Sequence, residues 1–191
     1  MPPTQTERFL YFAHRALSPA ELSAARLDGH LVEVGEGYIP ADAVETVALR
    51  AASLSPILGD QLAAIRLSAA WVHGVVDDPP VRHAAQRAVA HRITTIVDRC
   101  LEYRDGVVEG RDLLRIGGVL VTTRPRTLAD LSRDLVLGDA APAVVRAVDA
   151  MSADPTTTRE AIVSLALHEG VPGRPKALDL LRERERCATT M

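Results

Sequence analysis

Aromatic residues make up only 3% of this 191-residue chain: one tryptophan, two phenylalanines and three tyrosines. Hydrophobic residues nonetheless reach 47%. The core must therefore come from Ala, Val and Leu, a composition that favours helices with some β-branched strands. Cysteine is also scarce. Cys100 and Cys187 match no CxxC spacing, which excludes a redox pair or cysteine-based zinc site and fits a reducing compartment. No apolar run approaches the ~20 residues of a membrane span. The first residues, Met1-Pro2-Pro3-Thr4-Gln5-Thr6, lack the basic-then-apolar plan of a secretory signal. The expectation is a soluble, cytoplasmic protein with no membrane partner. A formal net charge of −3 gives no global attraction to phosphate, so nucleic-acid binding would need a local basic patch. The chain also lacks a GxSxG elbow, a Walker loop, a dinucleotide fingerprint and an HExxH motif, so no catalytic residue, metal or cofactor is expected.

What is present is organised around residues 113–135. Leu113-Leu114-Arg115-Ile116 and Val119-Leu120-Val121-Thr122-Thr123 flank Gly117-Gly118, and two β-rich runs around such a pair predict a hairpin with a type I′ turn. Pro125 then falls in a first helical turn, with Leu128, Leu131 and Leu135 recurring on one face.

Upstream, residues 7–16 are expected to be helical, burying Phe9, Leu10, Phe12 and Ala13. Ser18 is a good N-cap for a second helix, with Pro19 at its first position and Glu21 at its positive end. Leu31-Val32-Glu33-Val34, the turn Gly35-Glu36-Gly37 and Tyr38-Ile39-Pro40 follow as a hairpin. Helix, helix, hairpin is the outline of a winged helix, whose second helix enters the major groove. On that reading Ser23, Arg26, His30 and Tyr38 are the DNA-binding candidates. The wing carries Glu33 and Glu36 where arginine or lysine normally meets phosphate, which predicts weak binding. The alternative basic surface is Arg82, Arg87 and Arg92.

Further on, a helix from residue 41 or 42 carrying Val44, Val47, Ala48 and Ala51 is expected to break at Ser55-Pro56. Another covers Leu67 to His73 and ends at Gly74. Residues 82–91 read as helical or irregular. Ile93 to Val97, Cys100 to Tyr103 and Val107-Val108 read as strands. The last third predicts helices begun by Pro142, by a capping box at Thr157-Thr158-Arg159-Glu160 and by Pro175. Glu102, Asp105, Glu109 and Asp112 lie among strands, where nuclease carboxylates often sit, but no lysine accompanies them. His14, His30, His73, His83, His91 and His168 pair with no cysteine at zinc spacing. His83 and His91 could share a site with Asp77 or Asp78, although surface or interface roles fit them better.

Three strings occur in order: Leu31-Val32-x-Val34-x-x-Gly37-Tyr38; Arg66-Leu67-Ser68-Ala69-Ala70-Trp71-Val72-His73-Gly74; and Gly118-Val119-Leu120-Val121-Thr122-Thr123-Arg124-Pro125-Arg126-Thr127-Leu128-Ala129-Asp130-Leu131. Together they resemble the AbiEi-type antitoxins of type IV toxin–antitoxin systems, over about residues 18–177. The resemblance implies a winged helix that binds the operon's own promoter, and a larger domain that neutralises a nucleotidyltransferase-type toxin. A very-short-patch-repair-like nuclease tail, present in some relatives, is not expected here.

The fold expectation is α+β: a winged-helix-like module at 1–41, then a mainly helical domain at 42–191 with a small central mixed or antiparallel sheet. The expected function is that of a non-enzymatic antitoxin and autoregulator. A protein-interaction scaffold with a degenerate wing, and a metal-dependent nuclease-like enzyme, are the alternatives.

Overall fold

Gly117 and Gly118 adopt φ of 54° and 88°, the left-handed pair that a two-residue type I′ turn requires. The turn joins β6 (Leu113–Ile116) to β7 (Val119–Thr122) in antiparallel register, with Ile116 opposite Val119. A Cβ on Gly117 would overlap the backbone of Ala48 and Ala52, so the turn rests directly on a neighbouring helix. In this computed structural model, residues 9–13, 17–93, 99–168 and 170–189 are described.

The remaining elements are α1 (Pro19–Leu27), β1 (Leu31–Val34), β2 (Gly37–Pro40), α2 (Val47–Ser53), α3 (Ser55–Leu58), β3 (Leu62–Ala64), α4 (Arg66–Val72), β4 (His83–Arg87), β5 (Leu101–Val107), α5 (Arg124–Val136), α6 (Pro142–Ser152), α7 (Pro155–Leu167) and α8 (Arg174–Thr189). The architecture is α+β, with eight α-helices among the described residues. β1 and β2 form a two-stranded sheet, and the other five strands form a mixed sheet in the order β5-β4-β3-β7-β6. Within it β3 is antiparallel to β4 and parallel to β7, while β4 and β5 are parallel.

Helix α5 is the hub of the helical layer, packing against α4, α6, α7 and α8. Thr123 caps it, its Oγ1 accepting from the Arg126 N–H at 3.3 Å. Burial extends nearly all round, from Thr127 to Ser132, as expected of a helix with neighbours on several sides. Leu10, Phe12, Val34 and Ile39 share one continuous core with Trp71, Val121, Leu128 and Leu181. Packing therefore does not divide at residue 41.

Several expectations are corrected. Residues 10–13 are not helical: Tyr11 pairs with Tyr38, each N–H donating to the other's carbonyl at 2.8 and 2.9 Å. Leu10 and Phe12 point inward while Phe9 and Ala13 are exposed, a period of two instead of 3.6. The rest of that expected helix, 7–8 and 14–16, lies outside the described residues. The first helix of the winged-helix outline is thus absent among the described residues, which contain α1 and the hairpin.

Helix α2 starts at its Thr46 cap, leaving Val44 outside it and 78% exposed. Residues 83–87 form β4, and β3 was not anticipated. The strand expected over Ile93 to Val97 falls largely outside the described residues. Helix α7 is capped by Asp154, whose carboxylate accepts from the N–H groups of Thr156 and Thr157, with Pro155 at the first position. The Thr–Glu capping box expected three residues later does not form.

The turn provides the first prediction. Alanine at Gly118 meets open space and should cost about 1 kcal/mol for its positive φ alone. Alanine at Gly117 adds a backbone clash, so its melting temperature should fall well below that of the Gly118 variant. Equal melting temperatures would show that the turn does not sit on α2.

Candidate functional site

The hairpin that was expected to act as a wing turns its tip into the protein. Gly35, at φ 53°, lies so close to the body that a Cβ there would overlap Ser53 Oγ and press on Trp71 Cη2 at 3.1 Å. The Glu36 carboxylate stands 4.0 Å from His83 Nε2, and the His83 ring lies 5.7 Å from Trp71. Glu36 therefore does not project toward phosphate, contrary to the expectation. Glu33 does face solvent, where it accepts a hydrogen bond from the Tyr38 hydroxyl at 3.3 Å. The Tyr38 phenol is pushed up by burial and by Glu33, with Arg26 opposing.

Ser23, Arg26 and His30 are exposed on α1 and the turn after it, and Tyr38 is half-buried on β2. The structure thus brings Arg26 close enough to Tyr38 to act on its phenol, while the Tyr38 hydroxyl is held by Glu33. The other expected basic surface is partly spent. Arg82 donates to the Leu101 carbonyl at 2.5 Å, and Arg87 and Arg92 both lie within 4 Å of the Asp105 carboxylate, at 3.5 and 3.1 Å.

Ser68, His83 and Glu36 follow one another in space like a nucleophilic triad. Ser68 Oγ is 3.2 Å from His83 Nδ1 and accepts from the Ala84 N–H at 2.8 Å. Both side chains are buried, Ser68 completely, so no substrate reaches the hydroxyl. Burial pulls the His83 imidazole down to about 4, keeping it neutral near pH 7. These residues tie α4 to β4 and to the hairpin tip.

The strand carboxylates are each engaged by an arginine: Glu102 by Arg104, Asp105 by Arg87 and Arg92, Glu109 by Arg111, and Asp112 by Arg126 at 2.6 Å. Asp112 belongs to a buried network in which Arg126 also reaches Asp130 at 2.9 Å and His168 Nε2 at 3.1 Å. His168 Nδ1 sits 2.7 Å from the Ser164 carbonyl, so the tautomer inferred from its partners carries the proton there. This cluster clamps the base of the β6–β7 hairpin and α5 to the end of α7. Among the described residues, no three His, Cys, Asp or Glu side chains assemble as a metal site.

No family model matches the chain, and no curated protein matches it.

Two features escaped the sequence reading. One is an open, largely apolar cleft of about 390 Å³ between residues 75–81 and α6, beside the 99% exposed Val81. The other is a polar cleft of about 110 Å³ around Arg66 and Asp134. Arg66 Nη1 meets Asp134 Oδ1 at 2.5 Å with both side chains largely buried. Burial pushes the Asp134 carboxyl up to about 6 despite Arg66, and pulls Arg66 down despite Asp134. Both partners are thus displaced toward their neutral forms: desolvation outweighs their attraction.

A pH prediction follows, with its sign set by linkage. The folded protein holds the Asp134 proton more tightly than the unfolded chain does. This group's favourable contribution is fully present below about 4 and is lost as pH rises through about 6. Neutral His73 and His83, both pulled down by burial, act in the opposite direction. The readout is therefore a difference: wild type should gain stability relative to Asp134→Asn as pH falls from 7 to 4.5. A constant difference in chemical denaturation would contradict it.

Proposed function

We propose that the protein is a non-enzymatic antitoxin that counteracts a nucleotidyltransferase-type toxin, and that α1 and the hairpin make a weak contact with promoter DNA. One observation supports this reading above others: the three strings that carry the family resemblance share one core, with the second string, at Trp71 and His73, between the other two. The turn within the hairpin string arrives through Gly35, which lies against Trp71. The second string supplies Trp71 itself and His73. The third closes on His73, whose Nε2 lies 2.7 Å from the Thr122 carbonyl, while Arg124 Nη1 donates to the His73 carbonyl at 3.3 Å. Inside the third string, Thr122 and Thr127 hydroxyls lie 2.8 Å apart and Arg126 pairs with Asp130. Residues far apart in sequence thus have a joint physical reason to be what they are.

The decisive experiment is co-expression with the nucleotidyltransferase-like product of a neighbouring reading frame. Full-length protein should restore growth, whereas persistent arrest with folded protein would sink the antitoxin reading. Deleting residues 1–41 would strip Trp71 and Ser53 of cover, so point variants are the better probes. Val81→Asp, at a fully exposed position, asks whether rescue runs through the apolar cleft. Lost rescue assigns toxin contact to that cleft, and intact rescue assigns neutralisation to another route.

For DNA, fluorescence anisotropy on the chain's own upstream sequence should show a shallow salt dependence. Each phosphate contact contributes a slope of about 0.9 in log K against log salt. Arg26→Ala should flatten the slope further, and Glu33→Arg should steepen it. Nanomolar binding that is steeply salt-dependent and indifferent to Arg26 would remove this role from α1.

A further inference from the structure

We infer that the polar cleft around Arg66 is a binding site for the phosphate group of a small phosphorylated molecule. The cleft opens where β3 ends, bounded by α4, the β4–β5 edge and the α5–α6 connection. Three guanidinium groups line it, contributed by Arg66, Arg82 and Arg104 from three separate stretches of chain.

Two observations distinguish these arginines from ordinary solvated charge. Arg66 has φ 53°, the one positive value at a non-glycine residue among the described residues. An L-residue is strained there, and such strain persists at sites where a side chain must be held in place. Its side chain is only 15% exposed, yet it borders an open cleft. The second observation concerns donors. Arg66 meets Asp134, Arg82 Nη2 donates to the Leu101 carbonyl, and Arg104 Nη2 donates to Glu102 Oε1 at 3.1 Å. A guanidinium carries five N–H donors in a planar fork that matches a tetrahedral oxyanion, so each retains capacity beyond these contacts.

The acids around the site, Glu102, Asp134 and Asp139, decide which phosphate it takes. They balance the arginines in number, so the cleft projects no broad positive field to attract a polyanion. At about 110 Å³, against the ~10–15 Å³ of such cavity space that one water needs, it has room for a phosphate group. Glu102 and Asp139 are exposed members of its lining, so a polyanionic backbone would meet carboxylates as well as guanidiniums there. A compact, doubly charged terminal phosphate fits both the volume and the charge pattern. The site is distinct from the α1–hairpin face, and this inference stands independently of the antitoxin reading.

Isothermal titration of the full chain, at constant ionic strength in a phosphate-free buffer, tests it with three probes: inorganic phosphate, a nucleoside monophosphate and a duplex oligonucleotide. The expected result is saturable one-to-one binding of both small phosphates, weakened at least tenfold by Arg104→Ala and by Arg82→Ala. Neither substitution removes a buried side chain, and circular dichroism confirms the fold. Arg66→Gly, which suits the positive φ, should abolish binding while secondary structure persists. Absence of saturable heat at millimolar small phosphate, binding unchanged in the Arg104 and Arg82 variants, or stronger binding of the duplex through these arginines would each overturn the assignment.

Discussion

The structure depends on the burial of a single indole. With aromatics so scarce, Trp71 is the largest fully buried side chain, at 1% exposure, and α2, the hairpin turn and β4 close around it. Arg50 lies over its ring at 5.5 Å and donates from Nη1 to the carbonyls of Trp71 and Val76, fastening the end of α4. Gly35 brings the hairpin turn against its edge, His83 packs beside it, and Ser53 lies under the same turn. Truncating a buried tryptophan costs about 3–5 kcal/mol, a large fraction of the 5–15 kcal/mol that holds a typical domain together. The hairpin is therefore a structural part of the body, and its tip serves packing.

The two buried ionic sites have different logic. Around Arg126, two carboxylates and an imidazole surround one guanidinium, so the charge is satisfied on several sides and three elements are clamped together. Arg66, on a strained backbone, makes its one close ion pair with Asp134, and both partners are displaced toward neutrality. A buried pair of this second kind is poor evidence for stability and better evidence for a retained task.

Much of the scaffold was legible in the sequence because single local signals decided it. Gly117-Gly118 specified a turn, and Ser18 with Glu21 formed the capping box expected of them, the Ser18 N–H donating to Glu21 at 2.8 Å. Where two signals competed, the reading failed. Leu10 and Phe12 suit either a helix face or one side of a strand, and only the ladder to Tyr38 decides between them. Asp154-Pro155 and Thr157 to Glu160 both announce a helix start, and the earlier one prevails. Strand β3 spans three residues, too few to display alternation, and β4 is built from His83, Ala84, Ala85, Gln86 and Arg87 without a β-branched residue. The candidate sites were less legible still. Ser23 and Arg26 could be placed on an exposed helix face, and His30 just beyond its end, from the pattern alone. The inward turn of Glu36 and the meeting of Arg66, Arg82 and Arg104 arise from tertiary packing, which leaves no periodic trace.

The central claim is that the N-terminal hairpin and the body form one cooperative unit through Trp71. Native-state hydrogen exchange tests it most directly, by comparing the amides of Tyr11 and Tyr38, bonded to each other across the hairpin edge, with those of Ala69 and His73 in and after α4. The account predicts that all four exchange through the same opening free energy, equal to that of global unfolding. Exchange of Tyr11 and Tyr38 through a separate, lower-energy opening that leaves Ala69 and His73 protected would contradict it.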